Sequence, residues 1–112
     1  MVANNDKAVE ITSKHFEETI NDSKHSIVVV DFWASWCMPC VMMAPIIEEL
    51  AGKLKSIRFA KLNVDENQEL ASKFNIMSIP CLVVFKKGKE VERIIGSQPA
   101  ESIEEKLKKH LK

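Results

Sequence analysis

The residues best suited to chemistry are two cysteines three apart, in the run Trp36-Cys37-Met38-Pro39-Cys40. The run stands where an apolar, β-branched segment gives way to one with helical spacing. The first turn of a helix has unpaired N–H groups and a partial positive charge. A thiol placed there ionises more easily than a free one, and the thiolate is the nucleophile. Pro39 is tolerated because the first turn has no N–H bond to lose. Residues at i and i+3 share a helical face, so the two sulfurs can bond to each other. Cys37, at the tip, is expected to be the exposed attacker, and Cys40, one turn in, the shielded thiol that acts second. Ionisation alone contributes little. A fall in thiol pKa from ~8.5 to ~7 raises the thiolate fraction about 16-fold, but nucleophilicity falls about 5-fold, so the net gain is about 3-fold. An apolar docking surface and a proton-transfer group are therefore the features to seek.

Asp31 is the candidate for proton transfer. It interrupts the apolar run from Ile27 to Trp33, so burial is expected whichever face it points to. A buried carboxylate is costly unless protonated or paired, and burial raises its pKa. It lies six residues before Cys37, near the C-terminal end of a strand, where sites of α/β proteins collect. An acid of raised pKa beside a thiol pair can take the proton from Cys40 as that thiol attacks. The competing reading is a strand-end Asp hydrogen-bonded to backbone.

The elements that must position these residues follow from periodicity. Val9 to Ile11 is a short, weakly alternating strand. Thr12 or Ser13 can cap a helix through Asn21, with Phe16 and Ile20 on one face. Ile27 to Phe32 is apolar at almost every position, which marks a strand covered on both faces, as in a parallel sheet. Pro39 to Leu54 is a helix whose Ile46, Ile47, Leu50, Ala51 and Leu54 form a buried face, with Pro45 expected to kink it. Ile57 to Val64 is the next strand, and Glu69 to Phe74 a short helix that Asn75 can end. Cys81 to Phe85 and Glu90 to Ile95 flank a Lys87-Gly88 turn as an antiparallel hairpin. Ser97 can cap a last helix with Pro99 in its first turn. There Ile103, Leu107 and Leu111 recur every four residues. Early Glu101, Glu104 and Glu105 and late Lys108, Lys109 and Lys112 suit the helix dipole. The order is β-α-β-α-β-α-β-β-α. The strand–helix–strand unit from Ile27 to Val64 implies a right-handed crossover between parallel strands.

Composition bounds the function. The 112 residues, 46% hydrophobic, suit one compact domain over residues 1–112, with residues 1–7 as a flexible N-terminal segment. A chain this size buries roughly 65% of the surface its unfolded form exposes. Sixteen basic residues balance sixteen acidic ones, a formal net charge of +0. That balance argues against nucleic-acid binding, which leans on excess cations, and removes any long-range steering field. Three cysteines are too few, and odd, for a secreted disulfide scaffold. Met1 to Asp6 has no basic n-region or apolar h-region. The longest uncharged apolar stretch, Trp36 to Ile47, has 12 residues and two prolines, too short for a span of ~18 or more. A soluble cytoplasmic protein is expected, without membrane partners, in which a disulfide is transient and catalytic.

Taken together, VVVDFWASWCMPC, then Pro45, KLNVDEN at Lys61 to Asn67, SIPCLVVFKKGK at Ser78 to Lys89, and Gly96 resemble the thioredoxin family. The resemblance runs from about Val9 to Leu111. A thiol pKa of ~7 is the reference value for this family, not a prediction for this chain. The resemblance implies the thioredoxin fold, an α/β fold with a central mixed five-stranded sheet flanked by about four helices. It implies a thiol–disulfide oxidoreductase that reduces protein disulfides as a monomer. Its cofactor would be nothing beyond the Cys37–Cys40 disulfide itself, and its electron donor a thioredoxin reductase or equivalent. Cys37 matches the nucleophile, Cys40 the resolving thiol, Asp31 the buried acid and Lys61 the lysine beside it. Pro80 matches a cis-proline whose loop lies against the thiols, with the Ile79 backbone offered to the substrate chain. Trp36, Met38, Pro39, Ile79, Pro80 and Gly96 would form the docking surface. Two positions depart from the family pattern: Met38 replaces a usual Gly and Val41 a common basic residue. Both make the face more apolar, and loss of a nearby cation favours the thiolate less.

Cys81, where the family usually has Thr, reads as a buried small apolar residue or as a second redox or metal-binding thiol. His15, His25 and His110 lack metal-ligand spacing and read as solvated. Met42 and Met43 read as packing, and Glu104 to Lys112 as a solvated helix face. A rival reading is a metal-binding or protein-interaction module. Zinc takes four ligands, and a dimer sharing C-x-x-C pairs could hold zinc or an iron–sulfur cluster. Metal analysis and a visible spectrum separate the two.

Overall fold

The computed structural model describes residues 8–111; the segment expected to be flexible, residues 1–7, lies outside the described residues. The strands are β1 (Val9–Ile11), β2 (Ile27–Trp33), β3 (Ile57–Asn63), β4 (Cys81–Lys86) and β5 (Lys89–Ile95). The helices are α1 (Phe16–Ile20), α2 (Met38–Lys53), α3 (Gln68–Lys73) and α4 (Ala100–Lys108). The strands form one sheet in the order β1-β3-β2-β4-β5. β3 runs parallel to both β1 and β2, whereas β4 is antiparallel to β2 and β5. The parallel β2–β3 pair is what the crossover through α2 requires.

β2 is covered on both faces, which explains why it is apolar at every position but Asp31. Ile27, Val29, Leu82 and Ile94 pack with Met43, Ile47 and Leu50 of α2 and Ile103 and Leu107 of α4. Val28, Val30, Phe32 and Phe85 face the other way, against Phe16 of α1 and Phe74 beyond α3. On that second face Phe16 meets Phe74 and Phe85 at 5.1 and 5.6 Å between ring centroids. α2 runs through Pro45 as one continuous helix.

Several helix ends are held differently from expectation. Thr12 makes no side-chain cap, and the chain enters α1 through a 3-10 turn at Ser13–His15. The Ser13 N–H is instead taken by the Asn67 side chain at 2.8 Å, from 54 residues away. Ser97 does not cap α4: the N-cap is Pro99, whose carbonyl accepts from the Ser102 and Ile103 N–H groups. Gln98 reaches into that turn, accepting from Ser102 Oγ and Lys106 Nζ. Asn75 ends α3 as expected, in the left-handed region at φ 53°. Its N–H bonds the Ser72 carbonyl and that of Ile76 bonds Ala71, the double bond of a Schellman turn. Lys87 and Gly88, both at positive φ, close the two-residue hairpin between β4 and β5. Glu104 is not simply solvated, because it bridges Lys53 of α2 and Lys108.

Phe16→Ala is expected to destabilise the fold by about 3–5 kcal/mol, seen as a lower urea midpoint at unchanged slope. A loss under about 1 kcal/mol would mean that the aromatic cluster does not anchor α1 to the sheet.

Candidate active site

β2 ends at Trp33, and the chain turns through residues 34–37 into α2. Cys37 is the N-cap of α2 with extended backbone, and its Sγ accepts the Cys40 N–H at 3.2 Å. The sulfur thus stands where the free N–H groups and the positive end of a sixteen-residue helix converge. Cys37 and Cys40 are joined in a disulfide, their Cα atoms 5.2 Å apart. The i, i+3 spacing has brought the two sulfurs together.

The expected contrast in exposure between the two cysteines does not hold. Cys37 is 5% exposed and Cys40 3%. In the oxidised pair Cys37 is tucked against Ala34, Cys40, Trp33, Val64 and Ile79. The surface is taken by its neighbours Trp36 and Met38, 70% and 66% exposed. Val41 and Met42, one turn on, are exposed as well. Met42 is therefore surface rather than core, and Met43 is fully buried.

The Ile79–Pro80 bond is cis. Its loop lies against the disulfide, with Cys37 Sγ 3.8 Å from the Ile79 carbonyl oxygen. Ile79 is half-buried and Pro80 buried. The Pro80 carbonyl accepts the Gly96 N–H at 2.8 Å. Gly96 has φ +86°, and a Cβ there would meet nothing within 4 Å, so conformation rather than crowding calls for glycine. At the other end of the loop, Arg93 of β5 donates to the Phe74 carbonyl at 2.6 Å. This ties the end of α3 to the sheet.

Asp31 lies on β2, on the sheet face shared with Ile27 and Val29, which α2 covers. α2 runs back across that face, so its first turn lies over the end of β2 where Asp31 sits. Asp31 is 2% exposed, and its Oδ1 has no hydrogen-bond partner. The backbone-bonded reading of that oxygen therefore fails. Burial pushes its carboxyl up to about 7, against the pull of Lys61 and with a small push from Glu10. Lys61 is opposite Asp31 on β3, its Nζ 4.9 Å from the centre of the Trp33 ring.

Comparison with known proteins fits this geometry. The thioredoxin family model matches residues 7–109. The chain belongs to the thioredoxin family. It is 48% identical over 104 residues to a thioredoxin of Staphylococcus haemolyticus, covering 92% of this chain and 97% of that one. It is 50% identical over 98 residues to a thioredoxin of Alicyclobacillus acidocaldarius, covering 87% and 91%. A solved mutant thioredoxin from Halobacterium salinarum superposes with TM-score 0.87 at 32% identity, covering 97% and 95%. Like other thioredoxins, the chain is a protein thiol–disulfide oxidoreductase that works through its own cysteine pair, Cys37 and Cys40.

The remaining candidates are placed as follows. Cys81 is buried in the second core, with Phe32 and Val83, and burial pushes its thiol up. It does not join the Cys37–Cys40 cluster. Among the described residues no group of three or more His, Cys, Asp or Glu is placed to hold a metal ion. No helix there is long and apolar enough to cross a membrane. His25 and His110 are not simply solvated: they pair with Asp22 at 2.9 Å and Glu92 at 2.6 Å. Two residues at the site escaped the sequence reading. Asp65 accepts the Trp36 Nε1–H at 2.8 Å and so orients that exposed ring. Glu10 accepts from Trp33 Nε1 at 3.3 Å. Asp65 lies inside the KLNVDEN segment already singled out, whereas nothing local marks Glu10.

A carboxyl whose folded-state pKa exceeds its unfolded value costs stability as pH rises between the two, and fully above both. For Asp31 the window runs from 3.8 to about 7. In the oxidised protein Asp31→Asn is therefore expected to raise the unfolding free energy at pH 8 by up to roughly 4 kcal/mol. The gain should fade as pH is lowered to 4. Urea titrations at several pH values measure this, and a gain that does not depend on pH would exclude a buried acid of raised pKa.

Proposed function

We propose that the chain works as a reductant of protein disulfides, with Cys37 as nucleophile, Cys40 as resolving thiol and Asp31 as the group that accepts the Cys40 proton. The observations that support this are Cys37 Sγ at the head of α2, hydrogen-bonded by the Cys40 N–H, and a buried carboxylate, Asp31, on the sheet face that α2 covers. In the reduced protein the Cys37 thiolate attacks a substrate disulfide. A bond forms between Cys37 Sγ and one substrate sulfur, the substrate S–S bond breaks, and the released thiolate takes a proton from solvent. Cys40 then gives its proton to the Asp31 carboxylate and attacks Cys37 Sγ. The Cys37–Cys40 bond forms, the mixed disulfide breaks, and the second substrate sulfur leaves as a thiolate that takes a proton from solvent, while Asp31 returns its own proton to solvent. Two electrons have passed from the cysteine pair to the substrate.

Lys61 counters the burial of Asp31 and helps set the pH at which it accepts a proton. Trp36, held by Asp65, and Met38, Pro39, Ile79, Pro80 and Gly96 form the docking surface. Exposed apolar side chains there, rather than charge, would select the substrate. The electron donor is a thioredoxin reductase or equivalent, and no cofactor beyond the disulfide is needed. The chain acts as a monomeric single domain in the cytoplasm.

Reduced protein is expected to accelerate cleavage of insulin disulfides. Cys37→Ser is expected to abolish that activity, and Cys40→Ser to accumulate a mixed disulfide through Cys37, seen by mass spectrometry. Insulin reduction that survives in Cys37→Ser would overturn the assignment. Cys81→Ser is expected to leave the rate within about twofold, since its side chain packs in the second core and not with the Cys37–Cys40 pair.

A further inference from the structure

Glu10, Lys61 and Asp31 occupy one register row across three adjacent strands. Glu10 on β1 is opposite Lys61 on β3, and Lys61 is opposite Asp31 on β2. Directly opposite residues put their side chains on the same face, with Cβ atoms about 5 Å apart. The row therefore runs from the edge strand β1 to the buried carboxylate. Trp33, two residues after Asp31 on the same face, ties it together. Its indole N–H donates to Glu10 Oε2 at 3.3 Å, and its ring lies under the Lys61 ammonium at 4.9 Å. Among the described residues no carboxylate lies within ion-pair distance of Lys61. The ammonium rests on the indole, between two carboxylates, and Asp31 Oδ1 stays without a partner.

We propose that Glu10 is a positioning residue for the exchange reaction: with Trp33 it holds Lys61 toward the sheet edge and keeps it from closing on Asp31. This rests on the reading of Asp31 as the proton acceptor. Without Glu10 the Lys61 ammonium is free to swing to the unpartnered Asp31 oxygen. Asp31 would then ionise too readily and become a poor base for a thiol proton.

The other groups acting on the row are few. Glu66, in the turn after β3, repels Glu10. Burial raises the Glu10 carboxyl, against the Trp33 hydrogen bond and the pull of Lys61. α2, which covers this face, contributes Glu48, whose Oε1 accepts from the Ala8 N–H at 3.3 Å. Cys81 of β4 faces the opposite core and feels Asp31 only weakly.

The test is a carboxyl-carbon NMR titration of Asp31 in the oxidised full chain. It is compared across wild type, Glu10→Gln, Glu10→Asp, Lys61→Met and the Glu10→Gln/Lys61→Met pair. Glu10→Gln is expected to move the Asp31 midpoint to lower pH, and Glu10→Asp to restore part of the shift. Lys61→Met is expected to move the midpoint to higher pH and to shrink the effect of Glu10→Gln. An Asp31 midpoint unmoved or raised in Glu10→Gln overturns the proposal, as does an effect of equal size without Lys61. The titration needs no turnover. Failure of the proton-acceptor reading would appear separately, as normal exchange rates in Asp31→Asn.

Discussion

A carboxylate buried in the middle strand of the sheet, with one oxygen that nothing bonds, is the constraint around which the site is built. Asp31 is covered by α2 on one side and flanked by β3 and β4 on the other two, so its charge is poorly solvated. In a purely structural position such a residue would be replaced by another Val or Ile, as its neighbours Val28, Val29 and Val30 are. It is tolerable here because it can remain protonated near neutral pH. A group that takes and releases a proton there matches a thiol, whose own pKa lies in the same region at a helix N-terminus. The stability lost by burying it is the counterpart of a reactive site.

The fold supplies the rest by simple geometry. A buried strand delivers Asp31 to the C-terminal edge of the sheet. The turn after Trp33 reverses the chain, and α2 returns over the same face. Its first turn, holding Cys37 and Cys40, must then lie above the acid. β4 approaches antiparallel from the other side of β2, which brings the cis Ile79–Pro80 bond to the same edge. The loop before it is held by the Asn75 turn and by Arg93, so the Ile79 carbonyl faces the Cys37 sulfur. The outer surface of this assembly is Trp36, Met38, Val41 and Met42, which are apolar and exposed together. The sequence has no net charge, and so no long-range field to steer a partner.

Much of this was legible because it is local. The β-branched run of β2, the C-x-P-C at a strand-to-helix junction, the Lys87-Gly88 hairpin and the Asn75 stop each follow from residues a few positions apart. Asp31 stood out because it breaks an apolar run. What was missed depends on residues far apart in sequence. Asn67 accepts the Ser13 N–H at the start of the turn into α1, and Glu10 and Asp65 hold the two tryptophans. Cys37 was expected at the surface from its place at a helix tip, but the cis-proline loop that covers it arrives from more than forty residues away. Cys81 sits beside that loop in sequence, yet strand alternation turns its side chain into the opposite core.

The direct test of the central claim is the rate at which Cys40 resolves a mixed disulfide on Cys37, followed by rapid mixing between pH 5 and 9. Wild type and Asp31→Asn are compared. In wild type the rate is expected to inflect near the Asp31 value of about 7. In Asp31→Asn it is expected to be at least about tenfold slower at neutral pH, the scale of a lost general base, and to rise only with the thiol's own ionisation. An inflection of the same position and amplitude in Asp31→Asn would contradict the account and return Asp31 to a purely structural role.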